Sequence, residues 1–136
     1  MTATTMTGTS HVASRVLQIL SAILLLAVGA IHLFLVFNGV GGTLGLLFVL
    51  NAVAAVVLAI GMVALRGRLS KLATVLGLLF LIASLASLLL ALTVGLFGIH
   101  EIWTFTLVPQ TVVVDAIGIV MLAITTAAVL RRGRSA

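Results

Sequence analysis

Hydrophobic positions run almost unbroken through four stretches of the chain, 16–37, 44–65, 72–97 and 105–130, and polar positions are confined largely to the breaks between them. A helix rises about 1.5 Å per residue, so roughly 20 apolar residues cross the hydrocarbon of a bilayer. Every one of the four runs meets that length. The breaks carry turn chemistry: Asn38-Gly39-Val40-Gly41-Gly42 is a glycine turn, Arg66-Gly67-Arg68-Leu69-Ser70-Lys71 a basic loop, and 98–103 a mixed amphipathic segment. Pro109 falls near the start of the fourth run, where a missing N–H costs little.

The pattern predicts an all-α polytopic membrane protein, an antiparallel four-helix transmembrane bundle. Residues 15–132 form the membrane domain; 1–14 is a disordered, Thr- and Ser-rich cytoplasmic tail and 133–136 a second short tail. The Val28-Gly29-Ala30 triplet resembles a signal-peptide cleavage site, but the apolar run continues through Phe37, so the segment reads as a span.

Composition closes off the soluble alternatives. Of 136 residues 63% are hydrophobic and 7% charged, against roughly 25% charged in soluble domains. The net charge of +5 does not indicate nucleic acid, because the cations flank apolar runs rather than forming a polar face. With no cysteine, disulfides, thiolate metal sites and dithiol redox chemistry are excluded.

Charge placement fixes an orientation. Arg15, Arg66, Arg68, Lys71, Arg131, Arg132 and Arg134 all fall at one end of the alternating spans, which the positive-inside rule makes cytoplasmic, with both termini inside. Phe34, Phe37, Phe48, Phe97, Trp103 and Phe105 mark the opposite interface. Six arginines against one lysine, with abundant Ala, Val, Gly and Leu, favour a bacterial plasma membrane.

Polar side chains inside the spans carry the remaining information, since each is costly in hydrocarbon. Gln18, Ser21, Leu25, Gly29 and His32 form one stripe on the first span; Asn51, Ala55 and Ala59 align on the second, and Thr111, Asp115, Gly118 and Thr125 on the fourth. Ala83, Ser87, Ala91 and Gly95 repeat every four residues on the third, a surface another helix backbone can approach closely. Gly29 and Gly118 are further packing positions.

By depth, His32, Asn51, Gln110 and Asp115 lie in the outer half, with His100 and Glu101 above them. The expectation is an outer-half polar pocket of these six residues, including an Asp115–His32 pair. His32, His100 and Asp115 are a donor set of the type zinc or non-haem iron takes, and two histidines suit haem b, but no local motif pre-forms either site. No hydrolytic or nucleotide-binding motif is present, so an independent enzyme is not expected. Two functions remain: an accessory or assembly subunit of a larger membrane complex or a homo-oligomer, with the small-residue stripes as contact surfaces, or a protein handling a small molecule, proton, metal or haem in the outer pocket. Beyond these, the partner is the lipid bilayer.

Overall fold

The computed structural model describes residues 3–132, which form four helices: α1 (Ala3–Phe37), α2 (Gly42–Ala64), α3 (Gly67–Thr93) and α4 (Val108–Arg132). All four are long and apolar enough to cross a membrane. Every backbone polar group within such a segment is satisfied by its own helix, the condition hydrocarbon imposes. Helix α1 reaches back to Ala3, so the segment expected as a tail begins as helix; it carries no proline, and the backbone ladder continues outward from the apolar span. The tail expected over 133–136 lies outside the described residues, as do Met1 and Thr2.

The ends of the helices follow from glycine. Gly39 takes φ +98°, a left-handed conformation that side chains disfavour. It closes α1 as a Schellman turn, with the Val40 N–H on the Leu35 carbonyl at 3.1 Å and the Gly39 N–H on that of Val36 at 3.1 Å. Gly95, at φ +87°, stops α3 at Thr93, earlier than the apolar run suggests. Its N–H turns back onto the Leu90 carbonyl at 2.8 Å.

In the bundle α1 packs on α2 and α4, and α3 on α2 and α4, leaving α1 and α3 across the diagonal. One fully buried side chain from each helix meets at the centre: Leu25, Met62, Leu81 and Leu122. Gly77 makes room for this layer, for a Cβ there would lie 3.3 Å from Leu25 and 3.5 Å from Leu122. Gly29 lets α1 approach α2, its Cβ position 3.2 Å from that of Ala55, and Gly118 receives the Leu81 side chain from α3. Because lipid is as apolar as leucine, close packing and interhelical hydrogen bonds hold such a bundle, not the hydrophobic effect.

Those hydrogen bonds gather toward the basic end. The Gln18 amide donates to the Ser70 hydroxyl at 2.8 Å and to that of Thr74 at 3.4 Å, and Ser70 donates to the Met62 carbonyl at 3.1 Å. Ser21 and Thr125 share a hydrogen bond of 2.8 Å across α1 and α4. Thr125→Val is expected to lower bundle stability by about 0.6 kcal/mol, the average for interhelical hydrogen bonds in membranes. Unfolding titration in mixed micelles measures it, and a cost equal to that of Thr126→Val would show that the contact carries nothing.

Candidate functional site

Above the central layer the four helices part around a cavity of about 360 Å³. Its wall comes from the last turns of α1 (His32, Leu35), the first half of α2 (Leu44 to Ala54), the second half of α3 (Phe80 to Ala91), the first turn of α4 (Val108, Thr111) and the 94–107 loop. Most of this lining is aliphatic or aromatic. Ligand cavities share that make-up, an apolar body with a few polar groups that set orientation.

The small-residue repeat on α3 explains the space. Ala83 and Ser87 line the cavity, as does Ala91, which is buried where the backbone of Glu101 meets it. The buried residues of α3 are Ser70, Ala73, Thr74, Gly77 and Leu81, with Ala91 near its end. Continued at helical spacing from Leu81, the buried face reaches Ser84, so Ala83 and Ser87 stand one position to its side. Where bulky residues would have filled the gap, small ones leave it open.

Three of the six residues expected to form an outer-half pocket line this cavity: His32, Asn51 and Glu101. His32 is 7% exposed, and its Nδ1 lies 2.8 Å from the Val28 carbonyl. A carbonyl only accepts, so Nδ1 carries the proton, and in the neutral form of the ring Nε2 keeps a lone pair for another partner. Phe48 fixes the ring edge-on, with centroids 4.9 Å apart and planes at 87°. Asn51 contributes a buried Oδ1 that accepts no hydrogen bond. Glu101 enters from the loop, its N–H on the Ala91 carbonyl at 3.0 Å, and partial burial raises its carboxyl above the ordinary value.

The other three sit elsewhere. Gln110 is exposed on the first turn of α4. His100 is exposed, with its ring laid against Gly95, where any Cβ would collide with it. Asp115 is fully buried one turn below Thr111. Its two oxygens accept no hydrogen bond, and the side chain that bears on it is Ser84 of α3, itself part of the cavity wall. No Asp115–His32 pair forms, since the imidazole is turned to its own helix. His32, His100 and Asp115 do not converge either: among the described residues no group of three or more His, Cys, Asp or Glu comes together.

Over the mouth, Leu96 and Ile99 exchange backbone hydrogen bonds of 2.9 and 2.8 Å, and the two residues between them, Phe97 at φ +51° and Gly98 at φ +78°, form a tight primed turn. A bulky residue rarely adopts positive φ, at a cost on the order of 1–3 kcal/mol. Phe97 does so at the rim of the cavity, 82% exposed. Leu107, at φ +65°, ends the same loop. Neither Ser84 nor the loop's positive-φ residues stood out in the sequence. Ser84 was legible as the 3–4 continuation of Thr74, Gly77 and Leu81, whereas nothing in residue type signals positive φ at Phe97. Comparison of the chain with protein-family models, curated proteins and solved structures finds no match.

Proposed function

We propose that this protein is a multi-pass plasma-membrane protein, an antiparallel bundle with both termini cytoplasmic, that binds a small amphiphile in the cavity between its helices. The observation that carries the reading is the cavity's polarity. Its body is apolar, and beside the Ser84, Ser87 and Thr106 hydroxyls its wall offers three acceptors: Asn51 Oδ1, His32 Nε2 and the Glu101 carboxyl. Three acceptors gathered in an apolar wall complement a ligand head that donates, a hydroxyl or an ammonium group on an apolar body.

An accessory or assembly role drew its support from small-residue stripes as contact surfaces. Ala83 and Ser87 face the cavity, while Gly29 and Gly118 are taken up by neighbouring helices of the same chain. That reading would return if gently extracted protein carried a stoichiometric protein partner.

Selectivity among head groups tests the proposal. Native mass spectrometry of the delipidated protein with decylamine, decanol and decyl methyl ether should find the amine and alcohol held about tenfold more tightly than the ether, the equivalent of one net hydrogen bond. Equal retention of all three would overturn it.

The amine should also show a pH signature. A carboxyl raised by burial holds its proton to higher pH, and an ammonium ion binds better once that proton is gone. Amine binding is therefore expected to strengthen as pH climbs through the raised Glu101 value, while alcohol binding stays level. Glu101→Gln should flatten the amine profile.

A further inference from the structure

A second cavity, of about 320 Å³, lies at the opposite end of the bundle and carries the opposite charge. Four cations line it: Arg15 from α1, Arg66 at the α2–α3 junction, Lys71 from α3 and Arg132 from α4. Among the described residues no carboxylate lines it, and Glu101, one of the two acids in the chain, lines the other cavity. On the wall the buried Gln18 and Ser70 add an amide and a hydroxyl already joined to one another. The site is therefore built, not a loose fringe of surface charge.

Its donors are held in place but not all used. One Arg132 nitrogen donates to the Ser14 hydroxyl, while Nη2 is buried without a hydrogen-bond partner. Arg15 is tethered to the Val63 carbonyl. Helix α3 starts at this cavity with Arg66 as its N-cap and no side chain capping its first N–H groups. Clustered cations repel one another, and a buried guanidinium donor left unpaired costs free energy; an anion relieves both. A helix N-terminus adds favourable potential for the same sign of charge.

We propose that this cavity is a binding site for a phosphate group, shared by Arg15, Arg66, Lys71 and Arg132. Phosphate fits the donor set because its oxygens take forked guanidinium hydrogen bonds from two arginines and a point charge from lysine at once. The group can arrive on a lipid head or as a free solute. This site is independent of the amphiphile cavity, from which the apolar layer of Leu25, Met62, Leu81 and Leu122 separates it.

Geometry, not net charge, is the claim, and the chain provides its own control. Arg68 and Arg131 belong to the same basic end but do not line the cavity. Full-length protein in phospholipid-free maltoside micelles would be titrated with inorganic phosphate and, separately, with phosphatidic acid, with bound anion read by native mass spectrometry. Arg66→Gln/Lys71→Gln should weaken binding about thirtyfold, from two basic contacts, while Arg68→Gln/Arg131→Gln, with the same net charge, leaves it within about twofold. Phosphatidic acid retained without inorganic phosphate identifies a lipid head; saturable inorganic phosphate identifies a solute. Binding of neither, or equal loss in the two double variants, overturns the site. Circular dichroism of each variant confirms that the helices persist.

Discussion

Ser87→Trp is expected to abolish amphiphile binding while leaving the bundle folded. Ser87 stands on the cavity wall, one position to the side of the buried face of α3, so an indole there enters open space rather than the core. It would take a large share of a cavity of about 360 Å³. A ligand that reaches this cavity from lipid gains little from the hydrophobic effect, because its chain is already in hydrocarbon. Affinity must then come from fit and from the donor–acceptor contacts at His32, Asn51 and Glu101, and a plug that denies the head its position forfeits them together. The expected loss is at least about hundredfold, two such contacts' worth. Ser87→Ala should bind normally, and Ile82→Trp, on the lipid-facing side of the same helix and 44% exposed, should also be silent. Decylamine binding by native mass spectrometry separates the three. Undiminished binding in Ser87→Trp would show that the ligand, if bound, lies elsewhere.

The sequence made the four helices visible because hydrocarbon demands long apolar runs and tolerates breaks only at turns. It also made visible most of the faces: Gln18, Ser21, Leu25, Gly29 and His32 are all buried on α1, and Thr111, Asp115, Gly118 and Thr125 on α4. Depth along the helices was legible too, which is why His32, Asn51 and Glu101 come to one cavity. Rotation was not. A four-residue repeat advances about 40° per step around a helix, so Ala83 to Gly95 is a spiral rather than a seam, and the same small residues that allow close approach also allow an empty wall. Loop conformation was equally hidden. Positive φ at Phe97 and Leu107, and the way Gly95 admits the His100 ring, depend on backbone paths that residue type does not reveal.

The two ends of the molecule now have different chemistry. Near the basic loop, hydrogen bonds between Gln18, Ser70, Thr74, Ser21 and Thr125 knit the helices together. Beyond the apolar layer toward the 94–107 loop, Asn51 Oδ1 and both Asp115 oxygens are buried without partners, as the Thr126 hydroxyl and Arg132 Nη2 are on the basic side. The unmatched atoms toward that loop are acceptors, whereas Arg132 Nη2 on the basic side is a donor.

Asp115→Val should accordingly make the protein more stable, not less. The carboxyl is fully buried, neither oxygen accepts a hydrogen bond, and no described basic side chain is paired with it. An unsatisfied buried polar group costs about 1–3 kcal/mol, and an uncompensated charge would cost more. Valine is slightly larger and branched, and Gly118, one turn on, already receives Leu81, so some of that gain goes to repacking. The expected net effect is a stabilisation of about 1–2 kcal/mol, read by unfolding in mixed micelles. Asp115→Asn keeps the size and the polarity and should stay within about 1 kcal/mol of the parent. A loss of stability in Asp115→Val would show that the carboxyl has a partner in the membrane, with Ser84 its first candidate. The functional arm separates the two roles open to this acid. Ser84 bears on Asp115 and also lines the cavity, and Thr111, one turn above Asp115, is on the cavity wall. If Asp115 acts on the ligand through Ser84, the valine variant will be more stable and yet bind decylamine less tightly, by about tenfold for the loss of one polar contact. Stability and binding moving in the same direction would instead make Asp115 a packing residue only.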